Sequence, residues 1–362
     1  MRKSDKSKAT LPSFGYRRKP MSLYPLLRPF FFRLDAERAH QLSIAGLKAL
    51  AAKAPPSFDP VLRQEVAGLS FPSPVGLAAG FDKDAEVYRQ LLGLGWGFVE
   101  VGTITPLAQP GNPRPRSFRL AEDRGVINRF GFNSRGQEDA LARVRSRDRR
   151  AGLLGINIGA NKESADRIGD YVAGIARMGP HADYLTVNIS SPNTPGLRQL
   201  QDEGALRELL ARIRDARQPG GPPVFLKVAP DQGEGEPAQI VRAAIDHGID
   251  ALIVGNTTVS RPPLRSPHAG ESGGLSGAPL KPLALDTLKR FRSETGGQMP
   301  LVGVGGIASV GDAWERIRAG ASLVQLYTAM VYEGPGLGLQ IARGLAERVR
   351  REGMASIAEA VG

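Results

Sequence analysis

Cysteine is absent from all 362 residues. That absence rules out a disulfide framework, a thiolate zinc or iron–sulfur site, and any cysteine nucleophile or base. Reactive chemistry must come from another side chain or from a cofactor. Histidine is nearly as scarce, with four residues. His40 falls in N-terminal helices, His181 precedes a strand, His247 lies on a helix and His268 in a long loop, so none neighbours a strand end as a Ser–His–Asp triad requires. No apolar run reaches the roughly 18 residues that span a bilayer, because 23–32 is cut by Pro25, Arg28 and Pro29. The first twenty residues also lack the apolar core of a secretory signal.

Acidic residues are outnumbered, 36 to 48 Lys and Arg, for a formal net charge of +12. Residues 1–20 hold Arg2, Lys3, Lys6, Lys8, Arg17, Arg18 and Lys19 against Asp5 alone, so half of the net charge sits in a tail without apolar periodicity. Such an arm reads as a solvated, disordered extension, with an anionic membrane contact or nucleic acid as alternatives. The rest of the chain is only mildly basic.

After the tail, 23–54 reads as two short amphipathic helices, the first with Phe30, Phe31, Phe32 and Leu34, the second with Leu42, Ile44, Leu47 and Leu50 and ended by Pro55 and Pro56. Either the pair packs on the main core, or the phenylalanines, flanked by Arg28 and Arg33, leave apolar surface open to lipid. From residue 75 the pattern changes to eight short apolar runs, at 75–79, 98–101, 153–158, 184–189, 224–228, 251–254, 301–304 and 323–326. Helical patterns at 205–217, 239–247, 283–291 and 314–319 fall between them. Continuous apolar runs suit strands buried on both faces, and eight βα units predict an α/β (β/α)8 TIM barrel with an N-terminal helical pair. Two connections, 103–152 and 259–279, are too long for simple turns and leave the strand ends where barrel active sites lie.

The residues just past each strand should point into that mouth. They are Ala79-Gly80-Phe81-Asp82-Lys83, Gly102-Thr103, Asn157, Asn188 to Thr194, Lys227, Asn256-Thr257-Thr258, Gly303 to Gly306, and Tyr327-Thr328. Glycines after the seventh run, with Tyr327-Thr328 after the eighth, suit a barrel phosphate cradle and a phosphorylated cofactor such as FMN; the plainer alternative is a tight βα turn. Asn128, Asn157, Asn188, Asn193 and Asn256 each offer two donors and an acceptor without charge, which fits a planar heterocycle with N–H and C=O edges. Lys227 ends the otherwise apolar run 224–228, where a buried lysine is costly unless an anion meets it. Lys83 either neutralises a substrate carboxylate or pairs with Asp82. Ser191 reads from the residues alone as a turn serine.

Taken together, AAGFDKDAE (78–86), VGTITPLAQPGNPRPRSFRL (101–120), NRFGFNS (128–134), NISSPNTPGLR (188–198), LKVAPD (226–231), NTTVSRP (256–262), GGLSG (273–277), GVGGI (303–307) and YTA (327–329) resemble, in order and spacing, class 2 dihydroorotate dehydrogenase over about 22–350. The resemblance implies an FMN barrel that oxidises dihydroorotate to orotate in pyrimidine synthesis and passes electrons to a membrane quinone. It implies FMN held by Ala79, Gly80, Phe81, Asp82, Lys83, Thr103, Asn157, Asn188, Lys227, Gly277, Gly306, Tyr327 and Thr328. Orotate would meet Lys83, Asn128, Arg129, Phe130, Gly131, Phe132, Asn188, Asn193, Asn256 and Thr257. Ser191 matches the family's catalytic base, removing a proton from substrate C5 while hydride leaves C6, with Thr194 as its relay partner. His40 and Arg119 match positions near the quinone head, although a capping or surface role for His40 is an equal alternative. No metal is implied.

The family pattern divides the chain into a basic extension (1–20), a helical quinone-tunnel and membrane segment (21–56) and the FMN barrel (57–362). It places the protein peripherally on the cytoplasmic face of a bacterial inner membrane. Gly255 departs from the threonine many relatives carry there, and Met21 is the expected natural start because 1–20 has no family counterpart. Class 1 relatives use a cysteine base and tRNA-modifying flavin barrels a cysteine acid, so the absence of cysteine disfavours both, and no nucleic-acid partner is expected.

Overall fold

The computed structural model describes residues 24–362, so the expectations for 1–20 and for Met21 lie outside the described residues. Eight parallel strands close in chain order into a barrel: β1 (Val75–Leu77), β2 (Phe98–Ile104), β3 (Leu153–Ile158), β4 (Tyr184–Asn188), β5 (Val224–Val228), β6 (Ala251–Val254), β7 (Leu301–Val304) and β8 (Ala321–Leu326). All eight runs fall on these strands. The outward residues, such as Val99, Val101, Leu185, Val187, Leu226 and Val324, pack under the surrounding helices in one continuous core. The four anticipated helices are present and longer than their patterns, for example Glu203–Ala216 and Lys281–Thr295.

The barrel's lower end is closed by a hairpin, Gln64–Val66 with Leu69–Phe71, whose turn Ala67-Gly68 has φ of +52° and +77°. Phe71 meets Phe98 edge-on at 5.0 Å, and Tyr184 stacks on Phe225 at 4.6 Å, filling the interior with rings. At the opposite end the two long connections are not irregular. The first contributes the strands Ser117–Leu120 and Gly125–Asn128, the second Gly274–Gly277, and the three pair antiparallel into a small sheet.

The N-terminal pair is α1 (Tyr24–Arg33) and α2 (Ala36–Lys48). Asp35 caps α2, its carboxylate accepting from the Glu37 and Arg38 N–H groups at 3.0 Å, which contributes about 1 kcal/mol. The helix stops at Lys48 rather than at Pro55: residues 49–54 leave the helix, and the Lys53 backbone lies so close to Gly93 that a Cβ there would sit 2.6 Å from its carbonyl. The pair packs on the core through α2, while of the three phenylalanines of α1 Phe30 is exposed and Phe31 and Phe32 are half-buried. Glu37, Ala39, Ile44 and Leu47 of α2 are buried, whereas no residue of α1 is, and Leu26, Leu27 and Phe30 are exposed.

Candidate active site

Strand alternation sets the site. Inward positions start apolar at the closed end, with Phe98, Tyr184, Phe225 and Leu323, and turn polar two residues on. That second layer holds Glu100, Asn157, Thr186, Lys227 and Gln325, all buried. Above it Thr103 donates to Asn157 Oδ1 at 2.6 Å, and Asn188 Nδ2 donates to Thr103 Oγ1 at 2.9 Å and to Asn157 Oδ1 at 3.2 Å. A cavity of about 540 Å³ opens over this floor and runs without interruption to α1 and α2.

One end of the cavity is a cradle of backbone. Gly305 and Gly306 have φ of +111° and +70°, and a Cβ on Gly306 would lie 2.5 Å from Lys281 Cα; on Gly277 it would lie 2.4 Å from the Arg124 carbonyl. Only glycine lets these segments converge there. Buried Arg316 braces the turn by donating to the Gly305 and Lys281 carbonyls. Beside it the first N–H groups of the helix Thr328–Glu333 have no intrahelical acceptor, and with the glycines they make a concave, anion-seeking surface. Gly80, Thr103, Asn188, Lys227 and Tyr327 also line this part. Lys227 makes no hydrogen bond to the described residues, and burial pushes its ammonium below the usual lysine range while Glu100 pulls it back up. A phosphate cradle, a neutral amide floor and an unpartnered buried cation are what FMN needs, so the residues present fit it.

At the other end Lys83, Asn128, Phe130, Gly131, Phe132, Asn193, Asn256 and Thr257 surround the same space with Ser191. Asp82 does not pair with Lys83: its carboxylate accepts from the Glu86 and Val87 N–H groups at 2.7 and 2.8 Å, and burial raises it to about 6. Lys83 Nζ instead donates to the Gly80 carbonyl at 2.7 Å and lies 4.3 Å from the Phe130 ring centre. Burial lowers it to about 8. Ser191 Oγ accepts from the Asn193 N–H at 3.3 Å and has no histidine or carboxylate partner. Thr194 Oγ1 and Thr257 Oγ1 are buried without a partner.

Four expected contacts are not made at the cavity wall. Asp82 is turned away, as above. Asn157 lies beneath the floor, covered by Thr103 and Asn188. Arg129 bridges instead to Glu271 at 2.7 Å and stacks over Phe118, because the small sheet holds it outward. Thr194 is buried outside the cavity lining. Gly255 has φ +125°, and a Cβ there would lie 2.4 Å from the Val304 carbonyl, so no side chain reaches the site from this position.

His40 has neither a capping nor a surface role. Its Nδ1 lies 3.1 Å from Tyr327 Oη and its ring 5.2 Å from that of Phe81, and burial with nearby Lys83 lowers it to about 3, so the ring is neutral. Arg119 donates to the Phe31 carbonyl at 2.9 Å and to that of Leu34, satisfying the end of α1. Both side chains line the part of the cavity under the helices. What the motif reading missed is the interior layer of Glu100, Thr186 and Gln325. The signal was available: each is a polar residue in an apolar run, the argument that picked out Lys227.

A family model described as dihydroorotate dehydrogenase matches residues 61–349. The chain belongs to the dihydroorotate dehydrogenase family. Similar relatives include the dihydroorotate dehydrogenase (quinone) of Erythrobacter litoralis, 62% identical and covering 94% of this chain and 99% of the relative. That of Novosphingobium aromaticivorans is 58% identical with the same coverage. Among solved structures, DHODH from Eimeria tenella in complex with ferulenol superposes with a TM-score of 0.87 at 40% identity, over 94% of this chain and 98% of that one. The chain is an oxidoreductase of that family, similar to its quinone-dependent members.

Proposed function

We propose that this chain oxidises (S)-dihydroorotate to orotate with FMN as resident cofactor and delivers the electrons to a membrane quinone. The observation that carries this reading is the single cavity that joins the glycine cradle, the Ser191 pocket and the underside of α1 and α2. Ala79, Gly80, Thr103, Asn188, Lys227, Gly277, Gly306, Tyr327 and Thr328 would hold FMN, with Asn157 acting from beneath. When bound, FMN supplies the acceptor for the hydride that leaves substrate C6.

The chain's own residues do the rest. Lys83 holds the substrate carboxylate, and the amides of Asn128, Asn193 and Asn256 meet its N–H and C=O edges. Phe130 and Phe132 exclude water from the reacting face. Ser191 Oγ takes the C5 proton and hands it on through Thr194, whose buried hydroxyl has no hydrogen-bond partner among the described residues. His40, held neutral, and Arg119 line the quinone end. Of the described residues, 24–56 form the tunnel and 57–362 the catalytic barrel. The exposed Leu26, Leu27, Phe30, Leu42 and Leu50 suit an interfacial contact with anionic lipid, and no helix of the described residues is long and apolar enough to cross a membrane. We place the protein on the cytoplasmic face of the bacterial inner membrane.

The purified protein should be yellow with flavin and reduce a short-chain quinone with dihydroorotate, but not fumarate or NAD; a colourless, flavin-free protein overturns the reading. Substrate affinity also carries a pH signature. Lys83 is protonated below about 8 and loses its charge above it. Orotate affinity should therefore be level at lower pH and weaken as pH rises through 8, approaching about tenfold per unit. Titration of orotate across that range checks this, and in Lys83→Ala the affinity should be weak and flat.

A further inference from the structure

Glu100 is wholly buried inside the barrel, directly below the cavity floor. Its Oε1 accepts from Asn157 Nδ2 at 2.7 Å, and its Oε2 from Gln325 Nε2 at 2.8 Å, Tyr184 Oη at 3.1 Å and Thr186 Oγ1 at 3.1 Å. Four donors converge on one carboxylate, and no arginine or lysine of the described residues pairs with it. An interior carboxylate is costly, and a barrel of this kind could close over leucine there.

Two consequences follow from the geometry. A carboxylate only accepts, so Asn157 must turn its NH2 group down to Glu100 and its Oδ1 up. That raised oxygen receives Thr103 and Asn188, and the Asn188 Oδ1 in turn accepts from Ser190 Oγ at 2.9 Å. The orientation of the floor amides is thus set from below. The second consequence is electrostatic. Lys227 lies on β5, whose neighbour β4 carries Thr186 and Asn188, and its ammonium has no contact partner among the described residues. Glu100 is the anion that acts on it from inside the barrel.

We propose that Glu100 is a positioning residue of the cofactor site, which fixes the Asn157 amide and supplies the counter-charge for the Lys227 ammonium that would face a bound flavin. The inference rests on the FMN reading and extends it to a residue outside the cavity. The other ionisable groups facing this interior are Tyr184 on β4 and, across the cavity, Tyr327, Lys83 and His40, whose ring burial keeps neutral. Burial raises both tyrosines, so they stay neutral through the working range. Lys83 serves the substrate end.

Glu100→Gln separates charge from shape. An amide at 100 must present NH2 to one of two donors, Asn157 Nδ2 or Gln325 Nε2. Gln325 can resolve the clash by turning over, because its Oε1 is buried without a partner. The Asn157 orientation then survives and only the charge is lost. The flavin midpoint potential, measured against pH in a Lys83→Ala background so that Lys83, which lines the same cavity, is not read, should show a break where Lys227 titrates. In Glu100→Gln that break should move to lower pH, and the double variant Glu100→Gln/Gln325→Glu, which returns a carboxylate to the same network, should restore it.

An unmoved break in flavin-loaded Glu100→Gln overturns the proposal. If Glu100→Gln alone loses its flavin, the double variant decides: recovered flavin content supports the charge, and no recovery overturns it. Absence of flavin from the unmodified protein would instead sink the FMN reading itself, so the two failures are distinguishable.

Discussion

Ser191→Ala should leave flavin content and orotate affinity within about twofold of the unmodified protein while slowing flavin reduction by dihydroorotate by about 10²- to 10⁴-fold, the usual contribution of a positioned base. The expectation rests on how little else the hydroxyl does. Among the described residues its only hydrogen bond accepts the Asn193 N–H at 3.3 Å, long for its kind, so its loss costs about 1 kcal/mol or less. The substitution removes one oxygen from the wall and leaves Lys83 and the asparagines in place. A serine hydroxyl is a weak base at neutral pH, and no histidine or carboxylate hydrogen-bonds to it. Its activity therefore depends on the closed pocket and on an outlet for the proton. Ser191→Cys supplies the complementary test: a thiol titrates near about 8.5, so part of the rate should return with a profile rising towards that pH. Stopped-flow measurement of flavin reduction separates this step from quinone turnover. Full-rate reduction in Ser191→Ala would show that another group takes the C5 proton.

How much of this was legible in the sequence depends on which interaction encodes it. The barrel was legible because each strand is buried on both faces, and a run such as Val224 to Val228 carries that burial in five letters. The site was legible where one residue type has one reason to be present, as with Lys227 in an apolar strand or the glycines after β7. Pairings between distant segments were not. The sheet that joins Ser117–Leu120, Gly125–Asn128 and Gly274–Gly277 links two loops about 150 residues apart, and neither half alternates strongly enough to announce its partner. Asp82 and Lys83 are neighbours that sequence leaves as a plausible ion pair. Backbone geometry separates them, because two N–H groups of 86 and 87 offer Asp82 a local partner in a buried place. Glu100 shows the opposite case, a residue whose oddity was visible but lay one layer below the strand ends.

Deleting residues 1–33 should preserve flavin and orotate binding and abolish most quinone reduction, whereas a deletion through residue 54 should damage the fold as well. The difference lies in what each helix buries. α1 buries no residue fully and is tied to the barrel from one side: Tyr24 donates to the Val331 carbonyl, Arg28 to that of Tyr332 at 3.2 Å, and Phe32 meets the Tyr332 ring edge-on at 5.5 Å. Its removal strips a wall from the quinone end and takes the Phe31 carbonyl from Arg119, which keeps that of Leu34, with little loss to the core. α2 is built differently. Glu37 accepts from the Arg116 guanidinium at 2.8 and 3.0 Å and from Arg114 at 2.9 Å, and Arg116 is only 6% exposed. These contacts outweigh burial and hold the Glu37 carboxyl below its usual range. Without α2 the Arg116 charge would stay inside unpaired, a change that typically costs about 3–5 kcal/mol, and Ile44 and Leu47 would be lost from the core besides. Arg116 also donates to the Pro110 and Asn112 carbonyls, so the damage would spread into the connection that carries Asn128 and Phe130. The checks are flavin retained per chain, thermal unfolding, and the ratio of quinone-linked to flavin-reduction rates in the two truncations. Equal quinone rates in the shorter truncation and the full chain would place the quinone somewhere other than beneath α1.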